Sequence, residues 1–135
     1  MKRVRPEHYQ VAREMRFVFP MPPNLANGRM HWRVKHKAKT DYWRILDFGQ
    51  RLFPRLPDKP FEKATISVVL RLGHAMDDDN AMARVKWALD WLVTRGYIVD
   101  DKRKNLKWEG LPEQIVKRDG CYRLEITLRE VGAKE

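Results

Sequence analysis

Along 15–19 the run Met15-Arg16-Phe17-Val18-Phe19 alternates in hydrophobicity and predicts a first strand, stopped by Pro20-Met21-Pro22-Pro23. Residues 24–28 read as loop. Thr40 is placed to cap a helix over about 41–53, on which Tyr42, Ile45, Leu46 and Leu52 recur at helical spacing. A proline-rich connector follows over 54–60. The stretch 64–72 is rich in β-branched residues and reads as a central strand, running through Gly73-His74-Ala75-Met76 into Asp77-Asp78-Asp79-Asn80. A second helix is expected over about 81–95, closed by Gly96. On a helical wheel, Met82, Val85, Leu89, Leu92 and Val93 form a stripe that faces the core. Trp87 and Trp91 fall roughly opposite, beside Arg84 and Arg95, so this face needs a cover: a second copy of the chain or a long loop. Tyr97-Ile98-Val99 is a further candidate strand, and two last strands lie near 106–108 and 122–129. The expected fold class is α/β (α+β), a small mixed β-sheet with two main helices. It forms a single domain over 14–130, between a flexible basic N-terminus (1–13) and a short tail (131–135).

Composition changes this picture in one respect. A chain of 135 residues with 43% hydrophobic residues and five tryptophans has the means to build a core. No apolar run approaches the ~18 residues of a membrane span, and the basic start lacks the apolar stretch of a secretory signal. Cys121 stands alone, so neither an intrachain disulfide nor a cysteine zinc site is expected, and the chain reads as a soluble intracellular domain. The charge is the unusual feature: 28 Lys and Arg against 18 Asp and Glu give a net charge of +10. So much self-repulsion on a small domain points to a polyanionic partner, nucleic acid first, with plain solubility as the alternative. The positive charge is concentrated. Arg29, Arg33, Lys35, Lys37 and Lys39 lie in a stretch with His31, His36 and Trp32 and no acid, and Lys102, Arg103, Lys104 and Lys107 form a second cluster.

The acids are also grouped. In extended geometry Asp77 and Asp79 point the same way, roughly 6.6 Å apart along the chain, and Asp78 points away. Hard carboxylate oxygens on one face suit Mg²⁺ or Mn²⁺. A helix cap by Asp79 or Asn80 is the competing explanation, although one cap needs only one residue. Asp100 or Asp101 would supply a third carboxylate if the chain after Gly96 turned back far enough, which periodicity does not decide; otherwise the pair is a solvated turn. Lys86 lies seven positions after Asp79, about two helical turns on and on the same side. Its ammonium is available to a phosphate, or its stem covers the edge of the apolar stripe. Walker, HExxH and GxSxG signatures are absent, and Asp77-Asp78-Asp79-Asn80 lacks the glycine and glutamate of a calcium loop. His8 is isolated, and His74 reads as a loop residue.

Asp77-Asp78-Asp79-Asn80, then Lys86-Trp87-Ala88-Leu89-Asp90-Trp91-Leu92, then Gly96-Tyr97-Ile98-Val99-Asp100-Asp101 together resemble the RusA family of Holliday-junction resolvases. Pro22-Pro23-Asn24 and the basic stretch over 29–39 are similar to the family's N-terminal portion, so the resemblance covers roughly 15–130. It implies a homodimeric, Mg²⁺- or Mn²⁺-dependent endonuclease that nicks four-way DNA junctions at two symmetric strands. It implies Asp77, Asp79 and Asp101 as catalytic metal ligands and Lys86 as the catalytic-site lysine, with Asp100, Asp78 and Arg84 as further candidates. Arg29, His31, Arg33, Lys35, Lys37, Lys39, Lys102, Arg103 and Lys104 would then contact DNA, in the cytoplasm of a bacterium or phage-infected cell. Two features depart from the family. The interval from the acidic motif to the glycine is about three residues longer, and Gly73-His74-Ala75-Met76 replaces an arginine run. Two other functions compete: a branched-DNA-binding protein without catalysis, and a nuclease of the same fold acting on flaps or forks.

Overall fold

The computed structural model describes residues 13–23 and 31–131. The expected flexible N-terminus, the tail beyond 131, and Arg29 therefore lie outside the described residues, apart from Arg13 and Val131. The elements in chain order are β1 (Glu14–Pro20), α1 (Trp32–Phe48), β2 (Ala64–Leu72), α2 (Asp78–Arg95), β3 (Leu106–Trp108), β4 (Glu113–Val116) and β5 (Arg123–Glu130), with a short 3-10 turn at Gln50–Leu52. They form an α+β fold with one mixed five-stranded sheet in the order β1-β5-β2-β3, β4 pairing with β2 alongside β3. β5 runs antiparallel to both neighbours, whereas β3 and β4 are parallel to β2.

Strand alternation builds the core directly. Met15, Phe17 and Phe19 of β1, Ala64, Ile66, Val68, Leu70 and Leu72 of β2, and Leu124, Ile126 and Leu128 of β5 are all buried. The intervening positions carry ion pairs, Arg71 on Glu125 and Arg129 on Glu14 across strands and Arg123 on Glu125 along β5. β2, α2 and β3 make a strand-helix-strand crossover, which parallel pairing requires. This topology places Asp77 just after the end of β2, while Asp100 and Asp101 precede β3, whose Leu106 pairs with Ala64 at the start of β2.

Several expectations change. The first helix spans 32–48 instead of 41–53. His31 caps it, its Nδ1 accepting from the Arg33 N–H at 3.1 Å. The basic stretch has no apolar period and so reads as loop, yet Lys and Arg are good helix formers. Thr40 is interior, and the chain leaves the helix at Gly49. Of the four apolar residues expected to face inward, Tyr42 and Leu46 are buried, while Ile45 and Leu52 are exposed. The second helix starts at Asp78, three residues early, and closes at Gly96 as expected, in the left-handed region at φ 94°. There the Tyr97 N–H reaches the Leu92 carbonyl. Tyr97-Ile98-Val99 forms only an isolated bridge between Ile98 and Phe61. β4, in the stretch Glu-Gln-Ile-Val, was not foreseen.

The tryptophan face of α2 is the clearest correction. Trp91 is fully buried, edge-on to Phe19 and Phe53 and stacked on Tyr97, and its indole N–H donates to Asp47 at 2.8 Å. Trp87 is half-buried beside Tyr42, and its carbonyl accepts from Trp43 Nε1 at 3.0 Å. The cover is α1 and the Phe53 segment of the same chain, so no second copy is needed to hide these rings. Each aromatic contact adds about 0.5–1.5 kcal/mol beyond area burial.

Candidate functional site

Asp77 occupies the N-cap of α2 with extended backbone (φ −62°, ψ 154°), but its carboxylate makes no capping hydrogen bond. Asp78 and Asp79 already belong to the first helical turn. The alternation expected of extended chain therefore does not hold, because the helix begins inside the acidic run. Neither Asp79 nor Asn80 is the cap. Among the described residues none of the ion pairs involves these three aspartates, and all three are exposed. The connector before them is tied down. Gln114 of β4 accepts from the Met76 N–H and donates to the Met76 carbonyl, both at 2.8 Å.

Two turns along α2 the surroundings are different. The Lys86 ammonium lies 2.6 Å from Asp101 Oδ2 and 3.0 Å from Asp90 Oδ1. Asp90 also pairs with Lys39 of α1 at 3.2 Å, giving a chain of alternating charges from α1 across α2 to the loop before β3. The Lys86 hydrogen bond holds the Asp101 carboxyl below its ordinary range, and Asp101 in turn raises Lys86. Asp100 Oδ1 accepts from the Asp101 N–H at 2.7 Å and so shapes the turn; its other oxygen is 3.8 Å from Lys102.

The cations divide in the same way. Lys35, Arg84 and Lys86 line a groove of about 190 Å³ with Pro22, Pro23, Ala83 and Trp87. Arg84 Nε donates to the Pro22 carbonyl at 2.8 Å, and partial burial lowers its guanidinium pKa. Arg33 lies over the Trp32 ring, and Lys37 pairs with Asp41 at 2.8 Å. Lys102, Arg103 and Lys104 are exposed. Arg103 borders a second hollow, about 410 Å³, which Asp101, Leu106, Lys107 and Trp108 also line. His31 serves as a helix cap, whatever else it contacts.

The structure thus brings Lys86 and Asp101 together, but it does not gather Asp77, Asp79 and Asp101. No group of three or more His, Cys, Asp or Glu able to hold a metal ion forms among the described residues. Topology gives the reason, since the two acidic runs leave from opposite ends of β2. The donor chemistry of Asp77 and Asp79 fits a hard divalent cation, whereas Asp101, held by Lys86, does not join them. Sequence reasoning missed two residues. Asp90 was signalled by its four-residue spacing from Lys86; nothing in the sequence marks Gln114. Among the described residues no helix is long and apolar enough to cross a membrane. No family model matches the chain, and no curated protein matches it either.

Proposed function

We propose that this chain is a Mg²⁺- or Mn²⁺-dependent endodeoxyribonuclease that binds four-way DNA junctions and nicks them in symmetric pairs as a homodimer, in the cytoplasm of a bacterium or phage-infected cell. The observation that carries the reading is the pairing of Lys86 with Asp101 on the side of α2 that also bears Asp79, beside a groove lined by Lys35 and Arg84. A phosphate in that groove would meet three cations, and two carboxylates with no ion-pair partner among the described residues stand about two turns away at the start of the same helix.

Asp77 and Asp79 would hold the cation. When bound, it would polarise the scissile phosphate and acidify an attacking water. Lys86 and Lys35 would orient the strand and balance charge on its phosphoryl oxygens. Lys102, Arg103 and Lys104 would add backbone contacts that give affinity and salt sensitivity but no sequence information. Paired cuts call for two copies, and with Trp87 and Trp91 covered internally, one exposed apolar surface that could serve that contact is Ile45, Phe48 and Leu52. Phe48 is 83% exposed and Leu52 81%. Phe48→Glu should yield monomers on sedimentation; an unchanged dimer mass would place the contact elsewhere.

A second reading, junction binding without cleavage, is favoured by the dispersal of the three carboxylates. A labelled four-way junction incubated with Mg²⁺, with EDTA, and with Asp79→Asn separates the two. Paired nicks by the unaltered chain with metal alone support the enzyme. Binding without nicking of junction, flap or fork supports the second reading.

A further inference from the structure

We propose that Trp32 stacks on a DNA base laid open where the double helix is interrupted, an inference that rests on the DNA reading above and adds to it a contact with bases. The first two turns of α1 are unlike the rest of the molecule. Every residue over 31–37 is exposed, and the first buried residue of the helix is Tyr42. A helix in a folded domain draws most of its stability from an apolar face packed on a core. These turns have none. They are carried by the anchored half of α1, through Tyr42 and Leu46, and closed by the His31 cap.

Such a projection bears Trp32, 66% exposed, at its end. The ring is lined up by its neighbours: His31 stacks on it at 5.8 Å with 27° between planes, and the Arg33 guanidinium is 5.3 Å from its centre. Leaving an indole in water forgoes burial that an interface would supply. Charge complementarity identifies the occupant. Arg33 lies over the ring, Lys35 and Lys37 follow within the next two turns, no acid occurs in the first turn, and the chain as a whole carries +10. Every base has a π-face, so stacking on an aromatic ring is tolerant of sequence, while the neighbouring cations take the phosphates.

In continuous duplex those π-faces are already covered by adjacent base pairs. Only an unpaired base, an end or a branch point offers one, so Trp32 would favour interrupted DNA without reading its sequence. Lys35, one turn on, borders the groove that contains Lys86. A strand resting its base on Trp32 would therefore run its next phosphates toward that groove.

The test is binding in EDTA, with the full chain, to a duplex carrying one unpaired 2-aminopurine and to the matching continuous duplex. Trp32→Ala should weaken binding to the interrupted DNA by about 5- to 150-fold and leave the continuous duplex within about twofold. Quenching of 2-aminopurine should persist with Trp32→Phe and vanish with Trp32→Ala. Lys35→Ala should weaken both DNAs alike. Because Trp32 is 66% exposed, melting of the variants should match the unaltered chain. Equal losses on both DNAs with Trp32→Ala, no loss at all, or a change in sedimenting mass would overturn the proposal, the last by making the projection a contact between copies. If the unaltered chain binds neither DNA, the DNA reading falls as well; if it binds and Trp32→Ala is indistinguishable from it, only the stacking role falls.

Discussion

Asp77, Asp78 and Asp79 stand at the start of α2 with no ion-pair partner among the described residues, whereas Asp101, two turns along, is held by Lys86 at 2.6 Å. The four side chains are chemically identical, so what each can do is decided by its neighbours. The Lys86 ammonium occupies Asp101 Oδ2 and competes with a cation for that oxygen. The aspartates at the start of α2 have no such contact among the described residues, and their mutual repulsion is relieved by anything positive. Asp101 fastens the loop before β3 to α2, and under the proposed function Asp77 and Asp79 would hold the cation.

The difference is sharpest in activity. Asp79→Asn should lower Mg²⁺-dependent junction cleavage by about 100-fold or more, since even a residue supporting a metal ligand is worth 10–100-fold. Its unfolding free energy should change by less than about 1 kcal/mol, the scale of a carboxylate in a first helical turn. Asp101→Asn should keep the Mg²⁺ midpoint of cleavage and lose only the stability of an exposed ion pair, below about 1 kcal/mol. Cleavage lost equally in both variants, with an equal shift in metal midpoint, would show that Asp101 leaves Lys86 and joins the other carboxylates on the DNA.

A smaller effect is expected behind the acidic run. Gln114 holds Met76 through both its amide groups, and Met76 directly precedes Asp77. Gln114→Ala removes two hydrogen bonds, worth about 0.5–1.5 kcal/mol each, measurable by urea unfolding. It should also raise the Mg²⁺ concentration needed for half-maximal cleavage by freeing the connector that presents Asp77. Lost stability without any change in metal dependence would confine Gln114 to the sheet.

β1, β2, β5 and Gly96 were legible because they follow local rules: alternation in β1, β-branched residues in β2, and a glycine where the backbone enters the left-handed region. The start of α1 was not, because a helix with no buried face leaves no period to detect. Trp91 was misplaced because a wheel with one apolar stripe assumes one neighbour, and α2 has two, the sheet and α1. The acidic cluster was visible as composition. Its separation from Asp101 depends on strand order, which no local pattern encodes. The Lys86–Asp101 pair lies between these cases, since both residues stand out in the sequence but their contact comes only from how the chain turns back after Gly96.

The smallest effect concerns the pH dependence of that contact. In the folded protein Asp101 is lowered from 3.8 by Lys86, and Lys86 is raised from 10.5 by Asp101. A lowered acid stabilises the fold above its unfolded value, and the contribution disappears as pH falls through the lower folded value. A raised lysine contributes fully below its unfolded value and loses its contribution as pH climbs through the higher folded one. The pair is therefore at full strength across the neutral range and weakens only at the two extremes. Lys86 is 53% exposed at its side chain, so solvent screening keeps the gain near that of a surface pair, below about 1 kcal/mol. Urea unfolding of the unaltered chain and of Lys86→Met should differ by a constant amount at neutral pH, and the two should converge as pH drops below the ordinary carboxylate range. A difference that grew on acidification would mean that Lys86 is bound to something other than Asp101, and that the two acidic runs are less distinct than their surroundings make them.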